Sequence, residues 1–368
     1  MNLSRGAALV AAMGAMTAHA ATYVYVSNAE DGNIGVYTMA ADGSLKAGGK
    51  VEAGKVVMPM SVSPDRKFLF AAVRSKPFTA VTYSIDRKSG ALKQVGGGPL
   101  AESFPYIYAD KTGRFLLGAS YGANLVSVNP IGKDGKVGKP LQVIPTARNA
   151  HSIITDRTNK YAFAPHLGTD QIFQFRFDAR TGKLTANTPA TLQMKQGSGP
   201  RHIIMSADNR FAYLLSELVA TITTLSLDPK TGLLTEVSVA SFLAPDSKLQ
   251  PGAPRPTPGR NVDNDIWASD VHLTPNGKFL YALERTGNQI GAMSVDAKTG
   301  KLTYLSTTAP TEKQPRGFAI DPSGKYMVVT GEKSETISVY SIGADGALKL
   351  LDKYPTGKGA NWVEIVRF

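Results

Sequence analysis

The chain has 368 residues, 42% hydrophobic and 19% charged, with 41 Lys and Arg against 29 Asp and Glu and no Cys. Without Cys there is no disulfide framework and no thiolate metal site, so the fold has to be held by its core. The formal net charge of +12 invites a polyanion, yet the basic residues are scattered over short turns (Arg87, Lys88, Arg180, Lys183, Lys230, Lys298, Lys301) with no long run and no interleaved aromatics. That pattern argues against nucleic acid and leaves a weak, general pull on anionic or carbonyl-bearing small molecules.

Residues 1–20 hold one basic residue, Arg5, then a small apolar run from Gly6 to Met16, then Ala18-His19-Ala20. This is the layout of a cleavable secretory signal. The run is shorter than the roughly 20 residues a membrane span needs. A mature chain over 21–368 is therefore expected in a bacterial periplasm, as one domain and with no membrane insertion after cleavage.

From Thr22 onward one phrase keeps returning, a polar turn followed by an aromatic-led strand: SPDRKFLFAAVR (63–74), DKTGRFLLGASY (110–121), DRTNKYAFAPHL (156–167), SADNRFAYLLSE (206–217), TPNGKFLYALER (274–285) and DPSGKYMVVTGE (321–332). TYVYVSNAE (22–30) is a seventh strand without the turn. The leading aromatics, Tyr23, Phe68, Phe115, Tyr161, Phe211, Phe279 and Tyr326, are spaced 45, 47, 46, 50, 68 and 47 residues apart. That period fits four-stranded propeller blades. A second phrase answers each first one, as in AVTYSIDRKSGAL (80–92) or QIGAMSVDAKTGKL (289–302), and reads as a strand, a tight hairpin and the start of another strand.

An all-β, seven-bladed propeller follows. The tail GANWVEIVRF (359–368) resembles the strand that precedes each turn, but no turn and aromatic strand come after it. It is expected to supply the inner strand missing from the Tyr23 blade and so to close the ring without a bare edge. The long 68-residue step holds a Pro- and Gly-rich insertion at 242–267. Loops of that length are commonly binding loops, so residues 242–266 are a candidate lid as well as candidate surface decoration.

Aligning the repeats on their aromatics exposes two rings. Ten residues before the aromatic lie Met58, Pro105, His151, Arg201, Ser269 and Arg316, with Trp362 as the counterpart in the tail. Six residues after it lie Ala29, Arg74, Tyr121, Leu167, Glu217, Arg285 and Glu332. Both levels belong to one face of a propeller, around its channel, so His151, Arg201, Glu217 and Arg285 are expected to converge. Clustered guanidinium groups are costly to bury and are poorly explained as packing, although a salt bridge to Glu217 tying two blades together is the plain alternative. Arg74 and Arg316 join them as candidates for binding substrate, as does His166, one position from the second ring. His202 follows Arg201 in a strand, and alternation puts its side chain on the opposite side. Asp270 and His272 share a strand face and could begin a metal site, but no third ligand has a recognisable spacing. Both His202 and Asp270 are kept as binding candidates. The strings GGG (96–98) and GSGPR (197–201) lack the strand, loop and helix context of a phosphate cradle.

The blocks NAHSIITD (149–156), GSGPRHIIMS (197–206), SEL (216–218), IWASDVHLTPNGKFLYALERTGNQI (266–290) and TEKQPRGFAIDPSGKYMVVTGEKSETISVY (311–340) resemble the seven-bladed propeller lactonases, among them propeller-type 6-phosphogluconolactonases and, more distantly, fungal carboxymuconate cyclases. The resemblance implies a lactone-opening site on the channel, with the family's His, Arg, Glu and Arg at His151, Arg201, Glu217 and Arg285. Those are the residues the rings selected. The export signal departs from the cytoplasmic phosphogluconolactonases and points to an unphosphorylated aldonolactone such as glucono-1,5-lactone.

The expected reaction is cofactor-free hydrolysis to the aldonic acid. Glu217 or His151 is the general base, and Arg201 and Arg285 stabilise the carbonyl oxygen. A 6-phosphogluconolactonase, a carboxymuconate-type cyclase and a non-catalytic binding propeller are the alternatives. No metal is expected: a hard cation takes about six to eight oxygen ligands, whereas the inner positions offer mainly Glu217, Glu332 and Asp270 set among four arginines.

Overall fold

The computed structural model describes residues 21–254 and 259–368. The leader reading at residues 1–20 and part of the 242–267 insertion, residues 255–258, lie outside that description. Seven four-stranded antiparallel sheets form a ring, and six of them take four consecutive strands. The exception is the first blade, where Ala360–Arg367 adds as the inner strand to Thr22–Asn28, Asn33–Met39 and Leu45–Glu52. The inner strands of the other blades are Val57–Val62, Tyr106–Ala109, Ile154–Thr155, Pro200–Met205, Ala268–Leu273 and Pro315–Ile320. Neighbouring blades also meet through these inner strands, which line the central channel.

The recurring turn has a chemical reason. Its first polar residue caps the strand that follows: Asp110 accepts the Arg114 and Phe115 amides, both at 2.9 Å, and Ser63 accepts the Phe68 amide at 2.9 Å. Its fourth residue has positive φ in all six copies, at Arg66, Gly113, Asn159, Asn209, Gly277 and Gly324. Gly and Asn fill five of those six places because both tolerate the left-handed conformation.

The two sequence phrases are also partners across blades. Each leading aromatic ring lies on the hairpin glycine of the next blade: Tyr23 on Gly90, Phe68 on Gly135, Phe115 on Gly182, Tyr161 on Gly232, Phe211 on Gly300, Phe279 on Gly346 and, closing the circle, Tyr326 on Gly43. A Cβ at Gly90 would stand 2.2 Å from the Tyr23 ring, so nothing larger than Gly fits there. Each docked ring contributes about 2–3 kcal/mol of burial. Accordingly the buried residues fall into seven clusters, one per interface between neighbouring blades. The core is a wheel of seven wedges around a polar hub.

Candidate active site

The hub is polar because the inner strands are irregular at one common level. Between Pro200 and Ile203 the inner strand advances three residues while its partner advances two, from Ser216 to Leu214. The same extra residue occurs between Ala268 and Val271, between Pro315 and Phe318 and between Val57 and Met60. A bulge cancels the alternation of a strand and re-aims its side chains. Arg201, Ser269, Arg316 and Met58 all sit in these bulges.

This corrects the expectation that His202 points away from Arg201. Through the bulge both side chains serve the hub: the His202 ring centroid lies 5.2 Å from that of His151, and His151 bonds to Arg201.

The structure brings together His151, Arg201, Glu217 and Arg285. Arg201 donates Nη1–H to both His151 Nε2, at 2.7 Å, and Glu217 Oε2, and its Nε–H to the carbonyl of Ser269. Arg285 Nη2 stands 3.4 Å from Glu217 Oε2 and donates to the Ala268 carbonyl at 3.0 Å, while its Nε–H binds the Trp267 carbonyl. All four are at most 4% exposed. Among the described residues, Arg201 Nη2 and Arg285 Nη1 make no protein hydrogen bond, so each guanidinium keeps donors for a ligand.

Burial alone would raise the Glu217 carboxyl, but Arg201 and Arg285 outweigh it and hold it below its ordinary value. Burial and the adjacent Arg201 charge hold His151 well below its ordinary value, so it is neutral at pH 7. Arg316 meets Glu332 at 3.4 Å. Among the described residues Arg74 is within ion-pair distance of no carboxylate: its Nε–H goes to Ser103 Oγ and its Nη1–H to the Met58 sulfur. Four arginines thus surround two glutamates.

Below this level, Asp270 accepts from His202 Nδ1 at 2.9 Å and from His272 Nε2 at 3.1 Å, as well as from the Val271 and Phe318 amides. The two histidines outweigh burial and hold its carboxyl well below the usual range. The pair considered as the start of a metal site is thus used inside a protein network, and no group of three or more His, Asp or Glu is placed to hold a metal among the described residues. His166 does not join the hub. It lies inside its blade against Phe173, with Nδ1 on the Ala164 carbonyl and Nε2 on Thr146 Oγ1, both at 2.8 Å.

Sequence reasoning missed two residues. Trp267, at the end of the insertion, donates its indole N–H to Glu217 Oε1 at 2.9 Å, and its ring lies under the Arg285 guanidinium at 3.5 Å. Glu364, pushed up to about 7 by burial, takes the Trp362 indole N–H deeper in the channel, in a pocket of about 180 Å³ shared with Asp270 and His272. Trp267 marked the end of the loop in the sequence, and that position was the available signal.

A buried hub that concentrates guanidinium donors around one carboxylate suits the oxyanion of an ester-cleaving reaction. Residues 16–365 match the family described as lactonase, 7-bladed beta-propeller. The chain belongs to this lactonase family. The lactonase is 37% identical over 344 residues to a protein of Serratia proteamaculans named 6-phosphogluconolactonase, covering 93% of this chain and 98% of that one. A 6-phosphogluconolactonase of Klebsiella pneumoniae is 34% identical over 343 residues, with the same coverage. Among solved structures, the periplasmic gluconolactonase PpgL of Pseudomonas aeruginosa superposes with a TM-score of 0.82 at 27% identity, over 94% of this chain and 99% of that one. The lactonase is thus a hydrolase of cyclic carboxylic esters.

Proposed function

We propose that this lactonase acts outside the cytoplasm on an unphosphorylated aldonolactone of the glucono-1,5-lactone type. The observation that carries the chemistry is the placement of two arginines with unused donors at one oxygen of Glu217, Oε2. The address rests on the leader-like residues 1–20 and on the likeness to a periplasmic gluconolactonase.

In this reading the lactone carbonyl oxygen takes the free donors of Arg201 and Arg285, which stabilise the negative charge that develops when water adds. Glu217, ionised at neutral pH, takes the proton of that water and returns it to the ring oxygen as the C–O bond breaks. His151 orients rather than titrates, because its Nε2 lone pair is occupied by Arg201. No cofactor enters. The purified mature chain should release acid from glucono-1,5-lactone above the spontaneous rate, and fractionation should place it in the periplasm. Equal rates with and without enzyme over a panel of lactones would end this reading.

A second reading, a phosphorylated lactone, is favoured by the names of the relatives and by Arg74, a guanidinium that among the described residues is ion-paired with no carboxylate. Comparing kcat/KM for the free and 6-phosphorylated gluconolactones separates the two. An Arg74→Ala variant that loses activity only on the phosphorylated substrate decides for the second.

A further inference from the structure

The insertion that breaks the blade period ends at Trp267, and this residue touches both charged partners at the hub. Its indole N–H reaches Glu217 Oε1 at 2.9 Å, and its ring supports the Arg285 guanidinium face-on at 3.5 Å. Its carbonyl takes both the backbone N–H of Arg285, at 3.1 Å, and the side-chain Nε–H, at 3.0 Å. Trp267 is itself held by a carboxylate. Glu284, fully buried, accepts the Trp267 amide at 2.8 Å, and its two oxygens also take the Thr286 and Gly287 amides at 3.0 and 2.6 Å. Such a carboxylate, bound by three backbone donors and paired with no cation among the described residues, fixes the local backbone.

We propose that Glu284 and Trp267 form a positioning unit that sets the orientation and basicity of Glu217 and the aim of Arg285. The physical case is one of donors. Glu217 is faced by Arg201 from the fifth blade, Arg285 from the sixth, Arg316 from the seventh and Tyr121 from the third, with His151 of the fourth reached through Arg201. Arginines alone would draw the carboxylate to one side, onto Oε2, where both Arg201 and Arg285 bind. The indole holds Oε1, so the plane of the carboxylate is fixed and the remaining lone pairs keep one direction. The ring, in turn, restricts Arg285 to the plane in which Nη1 stays free. This inference rests on the reading of Glu217 as a base, but it can be tested without turnover.

Trp267→Phe keeps a ring under Arg285 and removes only the N–H. The Glu217 carboxyl resonance, labelled with carbon-13 and assigned by its loss in Glu217→Gln, should titrate about one pH unit higher in Trp267→Phe, the tenfold change that a hydrogen bond to a charged group is worth. The acid limb of kcat/KM on a hydrolysed lactone should move by the same amount, with KM nearly unchanged. Glu284→Gln keeps the shape but turns one acceptor oxygen into a donor, and should move the same resonance in the same direction with a melting temperature close to wild type. An unmoved resonance in Trp267→Phe overturns the proposal. If the resonance moves while no lactone is hydrolysed by wild type, the positioning unit stands and the assigned activity fails.

Discussion

Arg201 donates to Nε2 of His151 at 2.7 Å, and a guanidinium has no lone pair with which to accept in return. The histidine is therefore the Nδ1–H tautomer, neutral, with its only basic nitrogen already used. Glu217, bound to the same guanidinium, is the group left to accept a proton from water. Replacing it with Gln should lower kcat by about 10²–10⁴, the usual contribution of a general base. The sign of the pH profile follows. Catalysis needs the ionised carboxylate, whose pKa is lowered, so kcat/KM should stay level from neutral pH down through the ordinary carboxylate range and fall only below it. Wild-type activity in Glu217→Gln would return the role to His151.

The oxyanion role of Arg285 is open to a conservative test. Arg285→Lys keeps the charge but loses the bonds to the Trp267 and Ala268 carbonyls. By comparison with oxyanion-hole donors, kcat should drop by about 10²–10³ with a small change in KM. A loss confined to KM would make Arg285 a binding residue only.

Hydrolysis should be independent of divalent metal. Arg74, Arg201, Arg285 and Arg316 occupy the hub with two glutamates, and a dication would meet net positive charge there. Assays after exhaustive chelation should match untreated enzyme. Activity lost on chelation and restored by one added cation would refute this.

His166, away from the hub, carries a stability prediction. Burial lowers its pKa to about 4, so between pH 6.5 and 4 the unfolded chain takes up a proton there that the folded chain refuses. Stability linked to this group is therefore complete above pH 6.5 and declines as the pH falls, by up to roughly 3 kcal/mol. A His166→Phe variant should lose less of its melting temperature between pH 7 and 4 than wild type does. Parallel curves would show that His166 does not contribute.

Gly90, in a hairpin, and Gly197, in the loop that leads into Pro200–Met205, differ in what surrounds them. Gly90→Ala puts a Cβ 2.2 Å from the Tyr23 ring at positive φ, whereas Gly197→Ala, also at positive φ, meets nothing within 4 Å. The first should cost about 3 kcal/mol or more and the second about 1 kcal/mol, read by denaturant unfolding.

The blades were legible because each needs the same two devices, a capped turn with a left-handed residue and an aromatic lead, and both leave fixed residue types at fixed spacing. The four hub residues were legible for the same reason: alignment on Phe211 or Phe279 assigns Arg201, Glu217 and Arg285 their levels whatever the rest of the chain does. His202 was misplaced because a bulge is a property of pairing between strands, and Pro200 to Ile203 carries no local mark of one. His166 was misjudged for a related reason. Its neighbour Leu167 holds the ring position, and a shift of one residue along a strand exchanges hub for blade interior. Trp267 falls in the one repeat with no regular counterpart, so alignment gave it no level at all.

The pairing of Ala360–Arg367 with Thr22–Asn28 also ties the hub to some of the most distant contacts in the described chain. Ser27 and Asn361, 334 positions apart, meet across this seam, and Trp362 and Glu364 reach the channel only through it. Contacts so distant in sequence are the slowest to form. Six staves of the hub are each built from one continuous stretch of chain, and only the seventh needs this seam. The enclosure that would shield a reacting ester from bulk water is complete only when that seam is paired, so a break between Ser27 and Asn361 would open the hub without touching any of its charged residues.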